Sequence, residues 1–268
     1  MPNITACMLV MNEEKNLPEI LENLRGCVKE IVAVDESSDK SREILRRYGA
    51  RIIDVPKNKQ GLPSIEERRH LFHAAASSEW ILYIDADERL SDELKANLLK
   101  LTEQKDYDVI SFYSRHQYAP GKHFKHGFYA PHLEPRLYRK SCGVRFDTKI
   151  HEMPRIDGRN LYSDFYYDHL CYQASKETNS KKHDKYVRIE REHKKEYLSK
   201  NPLVKYLFIA TGYPAYFLYG LVLRKAFLDG WEGLKTNHFL AKYFARSGYL
   251  EIFVKRRLGL IDYSPFTD

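Results

Sequence analysis

The sequence predicts an α/β fold on a mostly parallel sheet flanked by helices, with a C-terminal helical extension. Three observations carry that expectation. Short apolar runs rich in β-branched residues alternate with amphipathic helical stretches as far as Leu90, which is the rhythm of right-handed βαβ units. Several of those runs stop abruptly at polar or acidic residues. From Pro202 onward the composition turns aromatic and apolar.

Ile4 to Met11 (ITACMLVM) is expected to be a buried strand. Asn12 is placed as the N-cap of the helix that follows, with Glu13 and Glu14 in its first turn. Leu17, Ile20, Leu21 and Leu24 form that helix's apolar stripe, Pro18 falls in its early turns, and Gly26 stops it. Glu30 to Val34 is the second strand and ends in Asp35. Ser41 to Tyr48 is a helix closed by Gly49, and Ala50 to Val55 is the third strand. Ser64 to Ala76 is a helix opened by a Ser64/Glu67 capping box.

Trp80 to Ile84 is an apolar run of the kind found in strands buried on both faces, and it runs into Asp85-Ala86-Asp87-Glu88. Burying unpaired like charges is costly, so this acid-x-acid calls for another partner. A hard divalent cation held against a polyphosphate supplies one, and the C-terminal end of a central strand is where open α/β sheets bind ligands. The competing explanation is an acidic turn leading to the Ser91 N-cap of a helix over Ser91 to Thr102. Asp108 to Tyr113 is a further strand, Ser114 to Pro135 an irregular loop over a site, and Arg136 to Arg139 a returning strand. Arg136 and Arg139 are expected to present both guanidinia on one face, suited to a diphosphate. Lys176 to Lys200 is a long charged helix with a solvated face.

The 268 residues allow one sizeable α/β domain plus an appendage, and the net charge of +7 fits an anionic partner. Cys7, Cys27, Cys142 and Cys171 have neither CxxC nor zinc spacing and are expected to be reduced thiols in a cytosolic protein. The N-terminus runs straight into a strand without a basic, cleavable leader, which places the catalytic part on the cytoplasmic side. Neither GxGxxG nor a Walker A loop occurs. Nucleotidyl transfer is disfavoured because Met11 to Asn16 offers no Gly-rich triphosphate loop. A basic nucleic-acid-binding or scaffold protein has no use for acids at strand ends, so no nucleic-acid partner is expected.

CMLVMNEEKNL (7–17), IVAVDESSDKS (31–41) and ERRHLFHAAASSEWILYIDADERL (67–90), in that order and spacing, resemble inverting family 2 glycosyltransferases with the GT-A fold. The resemblance implies that Asn12 and Glu13 lie at the donor site and that Asp35 contacts the nucleotide base. It implies further that Asp85 holds ribose and Asp87 a Mg2+ or Mn2+ ion bridging the diphosphate. Arg69 matches a basic residue of the donor site, although His70 stands where relatives often carry Asn. Within the family the chain resembles the subset acting on lipopolysaccharide cores, through His151-Glu152 past the RLYR strand, His169 in YYDHLCY, and FLDGWEGL (227–234).

An inverting transfer needs a general base for the acceptor hydroxyl, and Glu152 is the candidate, with Asp147 and Asp157 behind it. The implied activity is hexosyl transfer from a nucleotide-sugar, UDP-linked, to a membrane-associated glycan or glycolipid. Residues 1–115 would form the nucleotide-sugar half, 116–175 the acceptor and catalytic half, and 176–268 a helical extension. In that extension Tyr206 to Leu223 carries no charge over eighteen residues, but Gly212, Pro214 and four tyrosines favour the membrane interface over a span. Peripheral contact with the inner face of the cell membrane is therefore expected, with a homo-oligomer interface as the alternative use of these helices.

Overall fold

A computed structural model describes residues 3–55, 65–145, 154–171 and 176–261. They form two compact units, one of Met1–Lys122 with Pro131–Gln173, the other of His123–Ala130 with Ala174–Asp268.

The first unit is the α/β part. Its strands are β1 (Ile4–Val10), β2 (Glu30–Asp35), β3 (Arg51–Asp54), β4 (Trp80–Tyr83), β5 (Glu88–Leu90), β6 (Val109–Ala119), the short β7 (Lys122–His123), β8 (His132–Arg139), β9 (Val144–Arg145), β10 (Arg155–Ile156) and β11 (Asn160–His169). The main sheet runs β3-β2-β1-β4-β8-β6-β11-β5. From β3 to β4 neighbours are parallel, as the βαβ rhythm requires. β8 then enters antiparallel between β4 and β6, β11 is parallel to β6, and β5 closes the edge antiparallel to β11.

Strand alternation splits the core between the two faces. Ile4, Ala6, Met8 and Val10 of β1, with Leu82 and Ile84, pack under α1 (Leu17–Leu24), Leu45 of α2 (Ser41–Arg47) and α4 (Asp92–Thr102). Cys7, Val32, Val34, Ile81 and Tyr83 face the other way, against Phe72 and Ala76 at α3 (Ile65–Ala75). Ser91 caps α4 as expected, its hydroxyl accepting from the Leu94 amide. The N-terminal half of the Ser64/Glu67 capping box lies outside the described residues.

Two local expectations are corrected. Asn12 does not cap α1. Its backbone is left-handed at φ 59°, and the cap position falls to Asn16. Asn12 turns its side chain onto the neighbouring loop instead, where its carbonyl oxygen accepts from the Ser38 amide at 2.8 Å. The stretch from Ser114 to Pro135 is also not one long loop: β6 continues to Ala119 and β8 begins at His132. Ser114, His116 and Gln117 are buried polar residues in a strand. Hydrophobic patterning misses such a strand because buried polar residues interrupt its apolar run, and its Arg115 is held across the sheet by a bidentate pair with Asp168 of β11 (2.6 and 3.0 Å).

The second unit is helical: α5 (Lys176–His193), α6 (Pro202–Leu218), a π-helical turn over Tyr219–Leu223, α7 (Gly230–Arg246) and α8 (Tyr249–Arg257). The Asn201 side chain caps α6 by accepting from the Leu203 amide at 2.9 Å. Glycine lets α6 and its π turn lie close along α7. A Cβ on Gly212 would sit 3.3 Å from that of Ala245, and one on Gly220 would collide with Asn237. Asn237 in turn donates to the Phe217 carbonyl at 3.0 Å. Lys194 is buried here, paired with Glu190 and lying 3.5 Å from the Tyr249 ring centroid.

Candidate active site

The parallel register puts the C-terminal ends of β1, β2 and β4 on one edge: Val10 lies beside Asp35, and Cys7 beside Tyr83. The loops that leave this edge are tied together. The amides of Asn12, Glu13 and Glu14 donate to Ser37 Oγ, Ser41 Oγ and Asp39 Oδ2 at 2.9, 2.8 and 3.2 Å. Glu13 Oε2 accepts from Asn16 Nδ2 at 2.7 Å, so its carboxylate holds the turn that precedes α1.

Asp35 is buried at the end of β2. Its Oδ1 accepts from the Ser37 amide at 3.1 Å, and Arg42 Nε stands 3.9 Å from Oδ2. Oδ2 is shielded from solvent and has no hydrogen-bond donor among the described residues. A buried acceptor in that state costs free energy unless a ligand supplies a donor.

One β–turn further on, Asp85 Oδ1 accepts from the Tyr83 hydroxyl at 3.1 Å, and Arg69 of α3 donates to that same hydroxyl at 3.0 Å. Tyr83 thus joins Arg69 to Asp85, and its burial raises the phenol well above the ordinary range. The Asp85 amide donates to Glu88 Oε2 at 2.8 Å, closing the turn. Asp87 leaves that turn toward β11, where His169 Nε2 lies 3.2 Å from its Oδ2. Burial alone would lower the His169 pKa. The carboxylate of Asp87, with Glu88 and Asp85 behind it, outweighs burial and raises it to about 9.

β11 lies parallel to β6 with His169 beside His116, their ring centroids 4.9 Å apart. Donor atoms of His116, His169 and Cys171 fall within 4.8 Å of one another. Burial, with His169 and His132 adding to it, pushes His116 down to about 3, so its imidazole is neutral.

Beneath the acids, Arg136 is buried and shared by two carboxyls. Its Nη2 donates to Glu88 at 2.8 Å and to Glu134 at 2.6 Å, and Tyr167 donates to Glu134 as well. The guanidinium also lies over the Tyr83 and Tyr167 rings, at 5.2 and 4.7 Å. Burial would raise the Glu134 carboxyl, but Arg136, His132 and Tyr167 hold it well below the usual range. Glu88 takes the other outcome: burial, reinforced by Asp85, pushes it up to about 8 against the pull of Arg136. Arg136 Nη1 is buried without a hydrogen-bond acceptor among the described residues.

The Glycosyl transferase family 2 profile matches residues 5–157, more than half of the chain. The chain belongs to that family. Among curated relatives, the SPbeta prophage-derived glycosyltransferase SunS of Bacillus subtilis (strain 168) is 25% identical over 177 residues, 61% of this chain and 37% of SunS. The 4,4'-diaponeurosporenoate glycosyltransferase of Staphylococcus haemolyticus is 30% identical over 129 residues, 45% of this chain and 34% of that protein. The chain spans roughly a third of the length of these two relatives. Among solved structures, S. aureus TarS 1-349 matches at TM-score 0.49 and 14% identity, covering 100% of this chain and 95% of that one. Glucosyl-3-phosphoglycerate synthase from Mycobacterium tuberculosis, in complex with Mn2+, uridine-diphosphate and glucosyl-3-phosphoglycerate, matches at TM-score 0.34 and 22% identity over 42% of this chain and 44% of that one.

Of the residues singled out in the sequence, Asn12, Glu13, Asp35, Arg69, Asp85, Asp87 and Arg136 all stand at or beneath this sheet edge. Glu152, His151 and Asp147 lie outside the described residues. Asp157 is exposed and pairs with Arg145 at 3.4 Å. Arg136 and Arg139 do not share a face, because three residues along a strand is an odd step. Arg136 lies over Tyr83, whereas Arg139 lies over Trp80 on the opposite side and pairs with Glu79 and Asp108. Sequence reasoning missed Tyr83, Glu134, Tyr167 and His116. Only His116 left a signal, a histidine three residues past the apolar run that ends at Tyr113.

Proposed function

We propose that this chain is an inverting glycosyltransferase that moves a hexose from a UDP-sugar to a hydroxyl of a membrane-displayed glycan or glycolipid of the lipopolysaccharide-core type. The observation that carries the proposal is the Asp87–His169 pair beside Asp85, on the strand edge where Asp35 keeps a buried, unsatisfied acceptor. The donor set fits a divalent ion: Asp87 and Asp85 offer hard oxygens and His169 a nitrogen, a mixture that favours Mn2+ over Mg2+. Asp87 and His169 would hold the ion, and when bound it offsets negative charge on the diphosphate as it leaves.

Asp35 Oδ2 accepts from the nucleobase, and Asp85 receives the ribose hydroxyls. Arg136, through Nη1, and Arg69 neutralise the diphosphate oxygens. Glu152 takes the proton from the acceptor hydroxyl as that oxygen attacks the anomeric carbon on the face opposite the diphosphate. The new C–O bond forms, the bond to the β-phosphate oxygen breaks, and its electron pair leaves with UDP. Asn12 and Glu13 shape the loop that closes over the base. Residues 1–115 serve the donor, 116–175 the acceptor, and 176–268 work as a helical extension at the cytoplasmic face of the membrane, where the helices also offer a surface for self-association.

The reading is tested by donor hydrolysis over a panel of nucleotide-sugars with and without Mn2+. Metal-dependent release of UDP from one donor is expected. Undiminished turnover by Asp87→Ala would remove the metal assignment.

A further inference from the structure

The second unit exposes apolar surface that a folded protein in water does not keep without use. On α6, Leu203, Tyr206, Leu207, Ala210, Pro214 and Leu218 fall on one helical face at three-, four- and seven-residue steps, and all are exposed, Leu203 at 77%. The surface continues through Val222 and Leu223 of the π turn and on to Phe227, Leu228 and Trp231, which is 71% exposed. The opposite face of α6 is the packed one, where Gly212 meets Ala245 and Tyr213 bonds His238 at 2.7 Å. The bare face is therefore not the core side of an amphipathic helix.

Its charge says what covers it. Between Pro202 and Ile261 nine Lys and Arg stand against three Asp and Glu, an excess of six in a chain of net charge +7. Arg224 and Lys225 separate the two halves of the apolar stripe, while Lys205, about 200° around the helix from Leu203, stands on the far side of α6. All three are exposed, with no acidic partner among the described residues. Aromatic and aliphatic side chains bordered by unpaired cations match the headgroup region of an anionic bilayer, where tyrosine and tryptophan settle and lysine and arginine meet phosphate.

We infer that the second unit docks in the plane of an anionic phospholipid surface through this face of α6, the π turn and Trp231. Pro202–Leu223 is long and apolar enough to cross a bilayer. Yet its packed side rests on α7, which carries Glu232, Lys235, Lys242 and Arg246, and those charges cannot follow it into hydrocarbon. Pro214 leaves the Ala210 carbonyl without its helical donor on the exposed face, a group that the hydrated headgroup layer satisfies and a lipid core does not.

The test uses the full chain without nucleotide or metal, so it is independent of the donor-site proposal, and Asp87→Ala must bind lipid as the parent does. Protein is sedimented with vesicles of phosphatidylcholine, or of phosphatidylcholine mixed with phosphatidylglycerol. Expected are binding roughly tenfold or more tighter to the anionic vesicles and a blue shift in tryptophan emission. That shift reports Trp231, because the only other tryptophan, Trp80, is already buried. The double variant Arg224→Glu/Lys225→Glu loses the preference for anionic lipid, Leu207→Glu/Leu223→Glu loses binding, and both keep the parental circular dichroism. Alkaline carbonate strips the bound protein. Absence of vesicle binding, or binding indifferent to the Arg224/Lys225 reversal, overturns the inference. Resistance to carbonate overturns the in-plane arrangement. A lipid-free dimer that Leu207→Glu/Leu223→Glu converts to monomer assigns the face to a second copy of this chain instead.

Discussion

His169 Nε2 lies 3.2 Å from Asp87 Oδ2, although 82 residues separate the two in sequence. The pair exists because β5, which begins one residue after Asp87, closes the sheet against β11, setting His169 opposite Glu88. An ion held at Asp87 would then be within reach of the imidazole that YYDHLCY supplies. Asp87→Ala and His169→Ala should each weaken Mn2+ binding by roughly 10–100-fold and lower donor hydrolysis in parallel. Calorimetric titration of Mn2+ into each variant checks this. Unchanged affinity in His169→Ala would leave Asp87 as the only anchor.

The general base is the second expectation. Glu152→Gln should reduce transfer by about 10²–10⁴-fold while nucleotide binding stays within a factor of a few, because the group acts on the acceptor and not on the donor. Asp147→Asn and Asp157→Asn should retain most activity, Asp157 being occupied by Arg145. Steady-state kinetics that separate kcat from donor KM decide the matter. A dead Asp147→Asn beside an active Glu152→Gln reassigns the base.

Arg136 bears on stability. It is buried and pairs with Glu88 and Glu134 together. Arg136→Met leaves two buried carboxyls without their cation, and breaking such a cluster costs about 3–5 kcal/mol. The urea midpoint should fall accordingly. A variant as stable as the parent would mean that Glu88 and Glu134 find other partners.

Glu134 gives a pH dependence with a definite sign. Arg136, His132 and Tyr167 outweigh its burial and hold its folded-state pKa below the unfolded value. The stabilisation is therefore complete above the unfolded value near 4.3 and is lost as pH falls through the acid range. Glu134→Gln should flatten that limb of the acid-unfolding curve followed by circular dichroism. An identical acid limb in parent and variant would show that the carboxylate is not stabilised by its neighbours.

Much of this strand edge was legible because position follows from pattern there: Asp35 and Asp85 each follow a buried apolar run, and each stands at or just past the end of its strand. What escaped depends on register or on buried polarity. His116 and His169 come together through the parallel pairing of β6 with β11, and no local pattern encodes which strands will be neighbours. β6 was cut short at Tyr113 because Ser114, His116 and Gln117 are polar yet buried. Asn12 has good capping chemistry, but its side chain answers a longer-range demand from Ser38. Arg136 and Arg139 were assigned a common face that an odd spacing forbids.

A metal held at Asp87 would let this edge bind a nucleoside diphosphate. Calorimetric titration of UDP into the full chain tests it most directly, with Mn2+, with EDTA, and with Asp87→Ala. The account predicts binding with Mn2+ that disappears in EDTA and falls roughly 10–100-fold in Asp87→Ala. UDP binding of equal strength in all three conditions would contradict it.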